Sequence, residues 1–466
     1  MAYKEPGAYL RVILNAALAT GYTPTLIPVI MGDGPKIIKR TDAITRAAVG
    51  MVDVLPQEAV AILSVGLTTS KPTYFQSGAG VGQEKDFKFV SGENKITWEA
   101  TGSHPDPGDT YFITYTCNVS ETQFEPRLVF SSGDVEKYYG EDFLEFEPDV
   151  NGAKAKNRLS IGARIALDEG APVIYVQQVP RNVSAGKATV IEYKDILENQ
   201  LAFLTDAYKI VPMDTGAEIN LAIMSHVELY SSYEERLERT ALLSHPKTAE
   251  YTDYNDMYTE LGGYAASLNY KRAMVPYPDK ATKTLSDGNL HELDAPFLLA
   301  AYAGRFAFHP VYQSKTRDTF KSFHELLGIR MKRKQKNMLA EKGVMIFEQQ
   351  GGAGTPISVR HQLTTEMMSP QTREDSIVAI SDYTSKYLRS VCEQYIGKYN
   401  ITGETLARIQ ATLQGALNRL KKESVINGFS ITRIAQDPDE PDTVLVSVRI
   451  KVPYPCNYID ITLFLD

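Results

Sequence analysis

The chain has 466 residues, 43% of them hydrophobic and 23% charged, with a formal net charge of -8. That length exceeds one ordinary core and predicts two to four domains, and the ordinary globular composition excludes a disordered or fibrous chain. The acidic balance argues against a general nucleic-acid binder, no apolar run is long enough to span a bilayer, and the opening MAYKEPGAYL lacks the charged and apolar regions of a signal peptide. Cys117, Cys392 and Cys456 are scattered and odd in number, which predicts three buried thiols in a reducing compartment and no disulfide or metal framework.

In chain order, Pro6-Gly7 opens a short extended segment, Ala8 to Ile13, and residues 25–33 (TLIPVIMGD) read as a buried strand. From there to about 120 the texture is β, with short apolar runs broken by glycine, proline and asparagine. Lys85–Val90 and Lys95–Trp98 predict two strands joined by the turn Ser91–Asn94, and Tyr111, Ile113 and Tyr115 alternate along a third. Between about 125 and 335 helices alternate with strands. The helices fall near 156–168, 192–207, 216–229 and 294–307, and the strands near 172–176, 209–213, 240–243 and 275. That alternation implies a parallel sheet with helices on both faces. Glu234, Glu235 and Glu238 with Arg236 and Arg239 suggest a surface helix carrying ordinary ion pairs. The basic stretch Arg330 to Lys336 (RMKRKQK) reads as a solvated link or helix end.

The last third predicts a separate unit, with strands near 344–348 and 356–365 and then two helices. The first, about 373–397, carries Ile377, Ile380, Leu388, Val391, Cys392 and Tyr395 at helical spacing. The second starts after the N-cap Thr402 and aligns Leu406, Ile409, Leu413, Ala416, Leu417 and Leu420, ending in Arg419, Lys421 and Lys422 where cations suit the helix dipole. Val444, Val446, Val448, Ile450 and Val452 then alternate with polar residues as a half-buried strand. Pro453 and Pro455 interrupt the ladder, and Ile459, Ile461, Leu463 and Leu465 begin a second alternation. So apolar a terminal strand needs a partner, either within its own domain or on a neighbouring subunit by strand addition.

Motifs of chemistry are missing from the sequence. The glycine clusters at 78–82 and 351–354 lack dinucleotide or P-loop spacing, the seven histidines form no zinc pattern, and there is no GxSxG. His245, His309 and His361 sit beside element ends and read as packing or capping residues. We therefore expect no enzyme and no cofactor.

Several stretches in this order resemble contractile tail sheath proteins. Pro6-Gly-Ala-Tyr9 is similar to the family's N-terminal arm. Ile96, Trp98, Pro107-Gly108, Tyr111, Ile113 and Tyr115 resemble its W…PxxGxxYxVxY stretch. Asn157 to Val176 resembles its helix followed by GAPVIYV, Ala300 to Ser314 its AAxxAG helix, and Arg360 to Thr365 its strand ending in TT. The resemblance implies a multi-domain α/β fold. A central mixed or parallel, subtilisin-like sheet flanked by helices would carry an inserted β-rich domain and an α+β C-terminal domain with exchanged terminal strands. The implied divisions are an arm at 1–20, a β-rich domain at 21–122, a central domain at 123–336, a tube-facing domain at 337–456 and a donated strand at 457–466.

Functionally, the resemblance implies the structural subunit of a phage tail sheath. It would form stacked hexameric rings and a helical polymer around the tail tube, and contract to drive the tube through the host envelope. Its partners would be other copies of itself, the tail tube protein and the baseplate and tail terminator proteins, with no nucleic acid and no membrane. It would be assembled in the bacterial host cytoplasm and reside in the virion. Exchange would involve Tyr9, Leu10, Val12, Ile459, Ile461, Leu463 and Leu465, received on Val444, Val446, Val448 and Ile450, while Arg419, Lys421 and Lys422 would face acidic groups of the tube. A bacteriocin-like particle and, in another class, a doubly wound α/β enzyme with an unrecognised site stand as alternatives.

Overall fold

In the computed structural model of the chain, the described residues run from 25 to 463, apart from 35–36, 49, 70–71, 75, 77–85, 119–123, 143–156, 183–184 and 248. The fold is organised by a nine-stranded sheet. Its first strand, β1 (Ile27–Asp33), is buried along its whole length. The chain then leaves for a β-rich unit of β2 (Ile37–Thr45), β3 (Val52–Val54), β4 (Ala59–Gly66), β5 (Phe87–Lys88), β6 (Lys95–Trp98) and β7 (Thr110–Asn118). These pair as two three-stranded sheets, in the orders β2-β7-β4 and β3-β6-β5. Between the sheets lies the only tryptophan of the chain, Trp98, edge-on to Tyr74, Phe87 and Tyr111. The indole nitrogen donates to Asp53 at 2.7 Å, and Tyr111 donates to the same oxygen at 2.9 Å.

The chain returns through β8 (Arg127–Val129), α1 (Ser132–Tyr139), α2 (Arg158–Asp168), β9 (Ile174–Val179), α3 (Val190–Asn199), β10 (Ala207–Pro212), α4 (Ala217–Tyr230), β11 (Thr240–Leu242), α5 (Tyr254–Leu268) and β12 (Ala273–Tyr277). A small antiparallel sheet follows, formed by β13 (Lys280–Thr284), β14 (Leu290–Asp294) and, beyond α6 (Ala295–Phe308) and β15 (Thr319–Phe320), β16 (Glu325–Leu327). Then come α7 (Arg333–Ala340), β17 (Val344–Gln349) and β18 (Ile357–Val359). The main sheet has the order β15-β18-β17-β12-β11-β10-β1-β9-β8, parallel from β17 to β9 and antiparallel at both margins. One core cluster places α2 and α6 against one face, and two others place α3, α4, α5 and α7 along the opposite face. The two outer helices of the first face approach closely. A Cβ on Gly304 of α6 would lie 2.2 Å from the carbonyl oxygen of Ala166 in α2, so glycine is required there.

Two expected boundaries move. The expected β-rich unit at 21–122 includes β1, yet β1 is hydrogen-bonded between β9 and β10, so that unit is an insertion into the central fold. The expected C-terminal unit at 337–456 includes β17 and β18, yet β17 pairs with β12 in the central sheet and β18 with β17. The separate C-terminal unit is built from α8 (Asp375–Cys392), α9 (Gly403–Lys422) and a hairpin of β19 (Gly428–Gln436) and β20 (Val444–Lys451). Thr402 caps α9 as expected, its hydroxyl accepting from the amide of Thr405. Of the thiols, Cys117 is buried, Cys392 half-buried and Cys456 exposed, so the expectation of three buried thiols holds for the first alone.

Candidate assembly site

The C-terminal unit presents backbone and apolar side chains outward. In the hairpin, Gly428 pairs with Lys451 and Gln436 with Val444, with an irregularity between Ile431 and Arg433. Phe429, Ile431, Val448, Ile450 and Val452 pack against a core of Tyr387, Leu417, Leu420 and Ile426. Alternation along β20 thus seats Val448 and Ile450 inward, whereas Val446, farther from the helices, is 39% exposed. Among the described residues the sheet has only these two strands, so each keeps one edge of unpaired backbone groups. A two-stranded hairpin is marginal alone, and a third strand would complete it.

Beyond β20 the chain runs past Pro453 and Pro455 to Asn457, whose side-chain amide donates to Glu374 at 2.9 Å and lies 3.3 Å from His361. Past that anchor Tyr458, Ile459, Ile461 and Leu463 are 78–82% exposed. The strand expected from Ile459 onward forms no ladder with this chain through residue 463. Pairing within its own domain is therefore not seen in the described part. Leu465, like Tyr9, Leu10 and Val12, lies outside the described residues.

The three cations predicted to face a tube differ in their surroundings. Arg419 donates to Glu423 at 2.8 Å one turn on and lies over the Tyr387 ring, whereas Lys421 and Lys422 are exposed in the last turn. Helix pairing accounts for Arg419; the two lysines remain at an exposed helix C-terminus.

A buried polar seam that the sequence did not disclose joins this unit to the sheet. Lys209 of β10 donates to Asp375 at 2.7 Å, and Tyr302 of α6 donates to the other carboxylate oxygen at 2.7 Å. About two turns farther along the same side of α8, Asp382 accepts from Arg272 at 2.8 Å and from Tyr208 at 2.9 Å. Lys386 donates to the carbonyl of Thr205, and Arg389 to Glu238. Burial, reinforced by the carboxylates, pushes the hydroxyls of Tyr208 and Tyr302 well above their ordinary range. Burial also draws Lys209 down and Lys386 to about 8. The spacing of Asp375, Asp382, Lys386 and Arg389 places them on one side of α8, a pattern indistinguishable in sequence from a solvated stripe. The surface helix expected around Glu234–Arg239 is absent. α4 ends at Tyr230, and Arg239 turns fully inward to the carbonyls of Leu201 and Leu204 and the ring of His226.

A doubly wound α/β enzyme would carry its polar groups at the carboxyl edge of the sheet, where one such cluster lies. Asp33 at the end of β1 donates its amide to Asp214 at 2.9 Å, and Tyr193 donates to the same oxygen at 2.7 Å. Burial, then the charge of Asp214, pushes the Asp33 carboxyl up to about 7, with Arg181 at 3.3 Å opposing the shift. The partners described around this pair are arginine, tyrosine and backbone, and among the described residues they include no nucleophile–base pairing of the kind that acyl transfer needs. Among the described residues no group of three or more His, Cys, Asp or Glu could hold a metal ion, and no helix is long and apolar enough to cross a membrane.

No family model matches the chain. Two solved assemblies share its fold. The contracted helical sheath of the anti-feeding prophage matches with a TM-score of 0.56 at 13% identity, over 75% of this chain and 90% of that one. The contracted sheath complex of an extracellular contractile injection system, PVC, matches with a TM-score of 0.53 at 14% identity, over 73% and 87%. The chain therefore has the fold of contractile injection system sheaths. In sequence it is 24% identical over 366 residues to the tail sheath protein of Mycobacterium phage Bxz1, which makes it a homologue of a phage tail sheath protein. That match takes in 77% of this chain and 59% of the mycobacteriophage protein, so the chain spans under two thirds of that relative's length.

Proposed function

We propose that this chain is the structural subunit of a bacteriophage contractile tail sheath, a component of the virion. The observation that carries the reading is the exposed apolar arm of Ile459, Ile461 and Leu463, leaving a body whose hairpin keeps unpaired edges. A donated strand joins neighbours by backbone hydrogen bonds, which tether globular bodies while those bodies move past one another. Subunits would form stacked hexameric rings around a tail tube, with Val444, Val446, Val448 and Ile450 receiving strands and Tyr9, Leu10, Val12, Ile459, Ile461, Leu463 and Leu465 supplying them. Lys421 and Lys422, and more weakly Arg419, would meet acidic groups of the tube through exposed, screened pairs, individually weak and so releasable. The baseplate and tail terminator would bound the polymer, assembly would take place in the bacterial host cytoplasm, and contraction would need no catalysis by this chain.

The test is electron microscopy of the purified chain and of a variant lacking residues 457–466. Hollow striated sleeves from the intact chain, and a folded variant that forms none, are expected. Sleeves from the truncated chain would refute the donated strand, and an unfolded variant would assign residues 457–466 to their own domain's core. Sleeves of the wider bacteriocin-like class would look alike here. The β-rich insertion of residues 37–118 and the sequence similarity to a phage tail sheath protein lean toward the phage reading.

A further inference from the structure

The basic stretch singled out in the sequence has no role in strand exchange, yet the fold places it with care. Arg330, Lys332, Arg333 and Lys334 are all exposed at the start of α7, with no acidic residue among them. α7 ends the row of helices α3-α4-α5-α7 that covers one face of the sheet, because each crossover steps in the same direction from β9 to β17. At about 10 Å per helix, the row separates its two ends by roughly 30 Å.

The opposite end has the complementary character. Asp195 and Glu198 on α3 and Glu218 and Glu228 on α4 are exposed, against the single cation Lys194. Among them stand Ile191, Leu221 and Leu229, which are 56–71% exposed, and Met338, 36% exposed, lies beside the basic end. An apolar patch rimmed by one sign of charge at one end of a layer, and the opposite sign at the other, describes the two halves of a heterologous contact.

We propose that the basic start of α7 docks on the acidic α3–α4 face of a second copy of this chain, a head-to-tail contact separate from the exchanged strands. It rests on the reading that the chain self-assembles. Such a contact propagates from copy to copy and closes a ring or continues a helix according to its rotation. Being charged and shallow, it slides or breaks at little cost, while the strands keep the copies tethered.

Two variants test it: R330E/K332E/R333E/K334E, acidic at both ends, and D195K/E198K/E218K/E228K, basic at both. Each reversal changes the charge by two, so the first takes the net charge from -8 to -16 and the second takes it to zero. Global repulsion alone would therefore make the second assemble more readily than the wild type. The contact predicts that both need a concentration higher by at least about tenfold to sediment as polymer. An equimolar mixture of the two should regain wild-type assembly, and circular dichroism should show both folded. Assembly of either variant at the wild-type concentration, or failure of the mixture, would overturn the contact and leave strand exchange standing. A wild-type chain that stays monomeric at low salt would overturn both. Retention of labelled single-stranded DNA by the wild type, lost in the first variant with its assembly unchanged, would assign the strip to a polyanion instead.

Discussion

Asp375→Asn removes the charge that two elements of the central fold share with α8. Lys209 and Asp375 have side-chain exposures of 0% and 2%, so no water replaces the lost carboxylate. Removing one partner of a buried ion pair costs about 3–5 kcal/mol, because the other charge stays behind unpaired. Two features of the site place the expected loss at the low end. The new amide oxygen still accepts from Tyr302, and Lys209 sheds its proton more readily, since burial already lowers its pKa. About 3 kcal/mol is therefore expected. Lys209→Met in the same chain removes the stranded ammonium, so the double variant should lose less than the single one, with a coupling of about 2 kcal/mol. Because the chain has several cores, hydrogen exchange of peptides from α8 and from β10 is a better measure than one global transition. Asp375→Asn should reduce protection of Asp375–Cys392 most. Protection within about 0.5 kcal/mol of wild type, or additive losses in the double variant, would refute the seam as the join between the two units.

Asp53→Ala should destabilise the β-rich insertion by about 3 kcal/mol, since Arg46, Trp98 and Tyr111 lose their common buried acceptor. Trp98 is the sole tryptophan, so a red shift of its emission at lower urea than the loss of helical circular dichroism is the expected result. Gly304→Ala should cost about 2 kcal/mol or more by forcing α6 off the backbone of α2, whereas Gly162→Ala meets side chains alone, chiefly the flexible end of Met213 with Ile30 Cγ2 at 3.3 Å, and should cost less. Thermal denaturation of the two variants orders them. The folded pKa of Asp33, about 7, exceeds its unfolded value, so the native state holds the proton more tightly and stability falls as pH rises from about 4 to 7. Asp33→Asn removes this slope, and its stability relative to wild type should be greater at pH 8 than at pH 5. An unchanged difference between the two pH values would refute the shift.

Elements whose burial is one-sided were legible in the sequence. α9 shows its core face directly, with Ile409, Leu413, Leu417 and Leu420 buried where the periodicity put them. β1 was legible as a strand but not as a member of its sheet. A fully buried strand looks the same in either sheet, and its partners Tyr175 and Ile210 lie well over a hundred residues away. Asp375, Asp382 and Lys386 defeated the reading for a different reason. Charged residues at helical spacing signify solvent unless their partners are known, and those partners sit on β10 and α6 and just before β10 and β12. The family resemblance came from the order of several weak motifs, so it spoke for the fold and left the seam unseen. The exposed arm lay between these cases: alternation from Ile459 predicts a strand, whereas residues 458–463 form none and find no strand partner among the described residues.

Adjacent residues at the start of α8 tie the arm to the body. Glu374 accepts from Asn457, at the root of the arm, and lies 3.4 Å from His361; Asp375 accepts from Lys209 and Tyr302 in the sheet and α6. Burial opposes the charge on Glu374, but His361 and Asn457 outweigh it and hold its carboxyl below the ordinary range. The base of the arm is therefore fixed to the same helical turn that is fixed to the central sheet, while everything from Tyr458 to Leu463 projects free of both. A pull on the arm would pass through Asn457 and Glu374 directly into α8 and from there, by Asp375 and Asp382, into β10 and the segment before β12. The backbone from Cys456 to Val452 loads the hairpin as well, whose contacts with α8 and α9 are partly buried apolar ones. In the proposed sheath subunit, the hairpin would hold a neighbour's strand and the seam would share the load of its own.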